Sequence, residues 1–364
     1  MSKSAVDVIG AAFEHTQAQL TKPFRFGQWA RLAVLALATG EMSSGGGCNS
    51  FQSMSNLPSR FPTHPQNFAG SHDALGRLGL DPAVLATVIV VALLGFLILG
   101  LVWVYVASIS RFVLFEAVLR RHCELEAGWN RWQRQGLRFF GWQLALSGVA
   151  LGVAAVLFLP LLLPVLATMW KNQEPGPALL LAFLPMIAVF VAFGLAMLLV
   201  VVLAKDFVIP LMAVENLGVM ESWGRLFRMM SAEKLAYAGY IGMKMVLAIG
   251  AAVVFNILGL IAAVVVMVPV AIVGAIVVIL AKGAGLGWNA FTITAAIVAG
   301  TLVLAGLLYV IALVCVPETV FFPAYALYFF AERYPALHAL LHPPPPAAPI
   351  PPVPPLSPTV SPVG

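Results

Sequence analysis

Residues 83–110 read AVLATVIVVALLGFLILGLVWVYVASIS, and this stretch contains no charged side chain. At a helical rise of about 1.5 Å per residue, about 20 apolar residues cross the hydrocarbon core of a bilayer. Three more uncharged blocks follow along the chain, at 139–170, 177–204 and 291–317. The first stretch therefore predicts a membrane-spanning helix, and the later blocks predict a polytopic membrane protein.

The composition supports the same class. The chain has 364 residues, of which 61% are hydrophobic and 10% are charged, whereas soluble domains are about 25% charged. We therefore predict an all-α, polytopic integral membrane bundle of about six transmembrane helices, with amphipathic interfacial helices and a weak internal repeat. The expected partner is the lipid bilayer, with other membrane proteins as an open alternative and no nucleic acid. The oligomeric state is left open.

A repeat organises the polar segments. Residues 111–135 resemble residues 206–230 once one gap is placed at Gly128. The aligned pairs include Phe112 with Phe207, Glu126 with Glu221, Trp129 with Trp223, Arg131 with Arg225, and Arg134 with Arg228. A fainter copy opens the chain, and a truncated copy closes it at 319–335. The predicted unit is a surface helix followed by a span out and a span back, and it occurs about three times.

The predicted surface helices have an amphipathic pattern. Within 219–230 the apolar residues recur at three- and four-residue spacing, while Glu221, Arg225 and Arg228 occupy the other side. A helix with Trp on one side and Arg on the other is typical of the headgroup plane. The alternative is a connector that packs the same stripe against neighbouring helices.

The pattern divides the chain into a membrane domain, 1–340, and a proline-rich tail, 341–364, expected to be polyproline II or unstructured. Residues 268–281 could be a seventh span or a re-entrant or interfacial piece. An exposed outer loop is expected at 45–82. The remaining boundaries are surface helices at 4–22, 111–136 and 206–231, and spans at about 27–44, 83–109, 139–168, 178–204, 235–267 and 291–316.

Lysine and arginine counts set the expected orientation. Four lie in the segment up to Arg31, six in 110–138 and four in 205–234, whereas the other loops carry few. Because cytoplasmic loops collect these residues, we predict a multi-pass protein of the cell inner (cytoplasmic) membrane with both termini cytoplasmic. The alternative is a cleaved signal peptide, since residues 36–38 fit a small-residue cleavage site. We expect the N-terminus to be retained.

The sequence offers no catalytic set. The six histidines are scattered, and no pair stands four residues apart on a helix with an acid between them. We therefore predict no enzyme activity, no cofactor and no metal site. Gly148 and Gly152 fall on one helix face and predict a close helix contact within the bundle.

Lys244 is the candidate for a binding site, because it is the charged residue expected inside a span. Tyr237, Tyr240 and Lys244 share one helical stripe. Facing the interior, they would bind an anionic group, with the tyrosines as hydrogen-bond donors. Alternatively, the lysine stem reaches back to the interface. No carboxylate is expected in mid-span, which argues against a proton-coupled carrier.

Three segments carry a family resemblance: KPFRFGQWARL (22–32), DFVIPLMAV (206–214) with SWGRLF (222–227), and PETVFFPAYALYFFAERYP (317–335). They resemble an uncharacterised group of prokaryotic six-span membrane proteins, distantly similar to the membrane domain of some glycerophosphodiester phosphodiesterases. The resemblance implies a helical membrane bundle, while the catalytic domain of those enzymes is absent. The expected role is non-enzymatic, in small-molecule or lipid handling or as a scaffold. The alternative is a transporter with an anion or lipid-headgroup site near Lys244.

Overall fold

The structure, a computed structural model, describes residues 4–40, 82–170, 177–285, 287 and 289–342. Every regular element in these ranges is helical. The helices are α1 (Val8–Thr21), α2 (Phe26–Thr39), α3 (Pro82–Leu119), α4 (Leu125–Trp170), α5 (Pro177–Leu203), a π-helical turn (Ala204–Val208), α6 (Ile209–Glu215), α7 (Val219–Ala232), α8 (Lys234–Gly283), α9 (Ala290–Ala331) and α10 (Pro335–Leu341). Residues 45–81 of the predicted outer loop and 343–364 of the predicted tail lie outside the described residues.

Five of the described helices are long and apolar enough to cross a membrane, namely α3, α4, α5 with its continuation to Glu215, α8 and α9. The predicted all-α membrane bundle is therefore confirmed. The helix α2 has 14 described residues, which rise about 21 Å. The predicted first span, 27–44, extends beyond α2, and its residues 41–44 lie outside the described part of the chain.

Several helix boundaries differ from the predicted ones. The helix α8 runs unbroken through Pro269 for 50 residues, so 268–281 is neither a separate span nor a re-entrant piece. The predicted surface helix 111–136 is divided between the end of α3 and the start of α4. The predicted surface helix 206–231 is likewise divided at residues 216–218. The charged residues that marked these segments as surface helices thus lie within or beside continuing helices.

Buried residues are concentrated at one end of the bundle, which we call the base: residues 8–37, 105–142, 200–247 and 309–341. The outer segments, residues 84–102, 149–163, 187–199 and 249–304, expose large apolar side chains, including Phe96 at 78% exposure. Contiguous apolar surface of this extent requires an apolar environment. The base is therefore the internally packed part, and the outer segments are suited to lipid.

Both described ends of the chain lie at the base. The Tyr325 hydroxyl of α9 donates to the Ala5 carbonyl at 3.1 Å, and the ring Nδ1 of His15 lies 3.2 Å from the Tyr328 hydroxyl. At the other terminus, α10 follows α9 directly and buries Leu337. The N-terminal and C-terminal helices therefore share one end of the bundle.

Side chains of α1 and α2 cap the C-terminal end of α3. The last carbonyls of an α-helix have no partner within the helix and need donors from elsewhere. Four donors reach this end: Gln19 Nε2 to Ala117 O at 3.0 Å, His15 Nε2 to Val118 O at 2.9 Å, Gln28 Nε2 to Arg121 O at 2.9 Å and Arg31 to Cys123 O at 3.1 Å. The N-terminal helices thus satisfy the turn between α3 and α4.

A tryptophan of α2 satisfies a carbonyl inside α9. Proline has no backbone N–H, so Pro317 leaves the carbonyl four residues earlier, that of Leu313, without its helical donor. The Trp29 Nε1 donates to this carbonyl at 2.8 Å. This contact lets α9 continue through Pro317 and fixes α2 against it.

Two turns in the base have matching backbone conformations. Arg121 follows α3 and Asn216 follows α6, and both have φ of 56°. Their positions differ by 95 (216 − 121), the same offset that pairs Phe112 with Phe207. In the helix after each turn, an arginine contacts a carboxylate that precedes the turn, Arg131 with Glu116 and Arg225 with Glu215. The two turns therefore share a positive φ and a nearby arginine–carboxylate contact, although Glu116 and Glu215 do not occupy aligned positions.

The close helix contact lies elsewhere than predicted. A Cβ added at Gly148 or Gly152 would meet no atom within 4 Å, so these glycines make no close contact among the described residues. At Gly136 an added Cβ would lie 2.5 Å from Ile109 Cγ1 and 2.9 Å from Ile109 Cα. The sequence prediction chose the lipid-facing glycines, whereas the close approach of α3 and α4 is in the base.

Candidate functional site

A cavity of about 190 Å³ lies in the base between α3, the π-helical turn, α8 and α9. Its polar lining is formed by Arg111, Lys205, Asp206, Lys244, Glu318 and Thr319. Its apolar lining includes Leu198, Val201 and Ala248. These apolar residues lie about one or two helical turns from Lys205 and Lys244, toward the outer segments. The cavity, here called the Lys244 cavity, thus has a band of charged groups with apolar residues on both sides, because Leu114, Ile209 and Leu327 line it toward the end of the base.

Asp206 is the centre of the polar network. The Lys244 Nζ donates to its two carboxylate oxygens at 2.7 and 2.6 Å, and the Tyr240 hydroxyl donates to Oδ2 at 2.9 Å. The side chain of Asp206 is 7% exposed and that of Lys244 is 18% exposed. Charge-assisted bonds of this kind are shorter and stronger than neutral hydrogen bonds, so they hold the Asp206 carboxylate in place.

The local sequence explains why Asp206 lies in a π-helical turn. Pro210 lacks an N–H, so the Asp206 carbonyl cannot accept the usual helical bond from it. The helix accommodates this by widening over Ala204–Val208 before it continues as α6. Such π-helical insertions occur frequently at functional sites.

The structure brings two of the three sequence-predicted site residues together. Lys244 and Tyr240 both contact Asp206, so the anionic group that they bind directly is a carboxylate of the chain itself. Tyr237 is buried against the rings of Phe207 and Phe329. Its hydroxyl makes no hydrogen bond within the described residues. Tyr237 therefore belongs to the aromatic core and does not line the cavity.

The chain matches a protein-family model described as Family of unknown function (DUF7544) over residues 3–340. It belongs to that family. The matched region contains every residue that lines the Lys244 cavity. No curated protein and no solved structure matches the chain.

Five polar lining residues of this DUF7544 member were missed by the sequence analysis: Arg111, Lys205, Asp206, Glu318 and Thr319. The predicted spans ended before Asp206 and Glu318, whereas the long apolar helices continue through both carboxylates. The repeat contained a sequence signal for two of these residues. Arg111 and Asp206 are the first residues of the two aligned copies, and both line the same cavity.

Outside the spans, two pKa shifts argue against a catalytic role for the groups concerned. Burial raises the pKa of the Cys123 thiol to about 11, so this thiol stays protonated and is a poor nucleophile. Burial is also the main cause that lowers the pKa of His15, with the Arg121 charge second. The bond to the Val118 carbonyl acts in the opposite direction on the pKa of His15 but does not outweigh burial.

The described residues provide no obvious metal site. Within them, no group of three His, Cys, Asp or Glu side chains is close enough to hold a metal ion.

The arrangement at the Lys244 cavity is chemically suited to binding an amphiphilic molecule through charge and hydrogen bonds.

Proposed function

We propose that this DUF7544 protein is a non-catalytic protein of the cytoplasmic membrane that binds an anionic lipid or a similar amphiphile in the Lys244 cavity. The observation that carries the proposal is the mixed lining, in which a cluster of charged side chains is bordered by apolar residues that continue toward the outer segments through Leu198, Val201 and Ala248. A lipid with its headgroup at the base would place its chains along the outer segments.

The charge of the lining favours an anionic headgroup. Three cations, Arg111, Lys205 and Lys244, face two carboxylates, Asp206 and Glu318, so the formal sum is +1. The Lys244 charge is balanced by Asp206, so the pair holds the wall of the cavity in place. Lys205 is then the best residue to test, because it lines the cavity from the π-helical turn and is partly exposed.

The proposal is tested by the thermal stability of the purified full-length chain in neutral detergent, with and without phosphatidylglycerol. We expect the lipid to raise the melting temperature of the wild type, and Lys205→Gln to lose at least half of that rise. The exposed Lys234→Gln, which removes the same charge outside the cavity, should keep the full rise. Equal lipid stabilisation of all three proteins would remove the cavity as a lipid site and favour the scaffold role.

The Asp206–Lys244 pair needs a double variant, because removing one partner leaves the other charge buried alone, at a cost of about 3–5 kcal/mol. Lys244→Met should therefore lower the melting temperature without ligand. Asp206→Asn combined with Lys244→Met should recover most of that loss. If the double variant is no more stable than Lys244→Met, the two charges do not balance each other in the protein.

We place the base on the cytoplasmic side. The helices α1 and α10 both lie at the base, and the base carries most of the lysines and arginines, which supports cytoplasmic termini. In a variant without native cysteines, an impermeant thiol reagent should label Gly287→Cys in intact cells. It should label Glu126→Cys only after the cells are opened. The reverse order would invert the orientation.

Absence of enzyme activity and the likeness to the membrane domain of glycerophosphodiester phosphodiesterases remain proposals. A glycerophosphodiester incubated with the purified chain should stay intact. The non-catalytic assignment would be refuted if the purified Asp206→Asn variant still hydrolysed the ester while an unrelated protein purified in the same way did not.

A further inference from the structure

A second cavity, of about 230 Å³, lies where the turn between α1 and α2 meets the turn between α3 and α4. Lys22, Arg25, Arg121 and His122 line it, together with Gln19 and Gln28. None of these residues lines the Lys244 cavity. We call this second site the basic cavity.

The lining of the basic cavity differs in charge from that of the Lys244 cavity. Among the described residues, no carboxylate lines it, and Lys22, Arg25 and Arg121 form no ion pair. His122 contacts Glu124 at 3.6 Å, so this acid engages the histidine and not the three cations. Three cations that converge without carboxylates create a positive potential that an anion relieves.

The backbone adds donors to this potential. The helix α2 begins beside Arg25, and no side chain caps its N-terminus. The first N–H groups of a helix have no internal acceptor, and the helix dipole is positive there, which together favour a phosphate-type anion. This N-terminus therefore reinforces the side-chain charges.

Gln19 supplies an acceptor of a different kind. Its residue is 5% exposed, and its Nε2 already donates to the Ala117 carbonyl. Both ring nitrogens of the neighbouring His15 are engaged, by Val118 and by Tyr328. The Gln19 Oε1 therefore accepts no hydrogen bond from a described residue, and it can accept one from a ligand with a donor such as a hydroxyl.

We propose that the basic cavity binds a phosphate ester that also carries a hydroxyl group, such as a glycerol phosphate, either free or as the headgroup of a lipid. Lys22, Arg25 and Arg121 contact the phosphate, and Gln19 accepts from the hydroxyl. Arginine suits this task because its planar guanidinium binds two phosphate oxygens together.

Arg121 provides a sharp test because its charge and its backbone conformation can be separated. Its φ of 56° is uncommon for a residue with a side chain and favourable for glycine. Arg121→Gly removes the cation and relieves the backbone, so a purely structural role predicts a protein that is at least as stable and binds unchanged. Asn216→Gly makes the same backbone change at the matching turn, away from the basic cavity.

Affinity is measured by calorimetry on the full-length chain in neutral detergent, with glycerol phosphate and with short-chain phosphatidylglycerol. We expect Arg121→Gly and Lys22→Gln each to weaken binding about tenfold, the loss of one charge-assisted bond. Asn216→Gly and the exposed Arg134→Gln should each change it less than about threefold, and the Lys244-cavity variant Lys205→Gln should change the affinity for glycerol phosphate equally little.

The two ligands distinguish the source of the phosphate. Comparable affinity for both identifies a free phosphate ester, and a clear preference for the lipid identifies a membrane headgroup; both outcomes support the basic cavity. Absence of binding by either ligand would refute the proposal, as would equal loss in Arg121→Gly and Arg134→Gln. The glycerol phosphate arm tests the basic cavity alone, whereas the loss of lipid stabilisation in Lys205→Gln tests the Lys244 cavity, so failure of either proposal is recognised separately.

Discussion

The base and the outer segments are parts of the same helices, and they satisfy opposite requirements. In α3, Phe112 of the base is fully buried, whereas Phe96 of the outer segment is 78% exposed. In α4, a Cβ added at Gly136 would clash with Ile109, whereas a Cβ added at Gly148 would meet no described atom outside its own helix within 4 Å. The apolar character of a residue therefore does not reveal which part it belongs to, because lipid and protein interior accept the same side chains.

The base and the outer segments differ more clearly in their polar groups than in their apolar ones. The ion pairs Glu116–Arg131, Glu215–Arg225, Asp206–Lys244 and Glu233–Arg333 all involve residues of the base. Their partners come from different helices or from the two sides of a turn. The base is thus held by specific pairs, while the outer segments depend on the bilayer. The following experiments test this contrast, starting with the largest expected effect.

Removing an aromatic ring should cost stability in the base and little in the outer segments. Phe207 is fully buried and contacts the rings of Tyr237, Tyr240, Phe329 and Phe330. We expect Phe207→Ala to lower the free energy of unfolding by about 3–5 kcal/mol. Phe96→Ala should change it by less than about 0.5 kcal/mol. Reversible unfolding in mixed micelles measures the free energy of unfolding of both variants. Similar losses would show that the base and the outer segments do not differ in how much their aromatic rings contribute to stability.

Adding one methyl group to α4 should act in opposite directions in the two regions. Gly136→Ala places its Cβ against Ile109, and we expect a loss of about 1–3 kcal/mol. Gly148→Ala adds no contact and should stabilise the helix by about 0.5–1 kcal/mol. The same unfolding assay measures this. A stabilising Gly136→Ala would mean that α3 and α4 are not in close contact.

Low pH should destabilise the packed base of the bundle, because the unfolded chain binds a proton at His15 more readily than the folded chain does. Burial lowers the pKa of His15 below its ordinary value of 6.5, with Arg121 contributing, so the unfolded chain takes up the proton more readily. The stability contributed by neutral His15 is complete above about pH 6.5 and is lost as the pH falls through the folded pKa. The Tyr328 hydroxyl and Val118 carbonyl also face the ring. Melting temperatures of wild type and His15→Gln at several pH values measure the effect, and equal slopes below pH 6.5 would exclude His15 as the cause.

The smallest expected effect is on the reactivity of a cysteine thiol and not on stability. Cys123 is buried, and its pKa is raised to about 11, so a maleimide at neutral pH should leave it unlabelled in the folded protein. Denaturation in dodecyl sulfate should make it reactive. Glu126→Cys, an exposed position at the start of α4, gives the matched control and should react at once. Rapid labelling of native Cys123 would show that the base opens readily.

The helical membrane class could be predicted because an uncharged block as long as 83–110 is typical of a membrane-spanning helix and rare in soluble domains. Lys244 could be identified as unusual for the same reason. Its partner Asp206 could not, because Lys205 and Asp206 together looked like the end of a span. The prediction had no means to foresee that a π-helical turn before Pro210 would carry the helix through both charges.

Glu318 was missed for a related reason. It follows Pro317, which usually marks the end of a helix. The helix continues because Trp29, 284 positions away, donates to the carbonyl that proline leaves open. Such a contact is set by tertiary structure, and no local pattern contains it. The same holds for the turn at 120–124, where side chains from α1 and α2 supply the donors.

The bond between Trp29 and Leu313 also imposes an order of events during synthesis. The tryptophan emerges from the ribosome 284 residues before the carbonyl that it serves. At about 5–20 residues per second this interval is on the order of tens of seconds. During that time α2 can dock on α3 but lacks its second partner, because α9, against which it also packs, has not been made. The N-terminal part of the protein therefore completes its packing among the last steps, and a chain that stops before residue 313 leaves its first helices without their contact to α9.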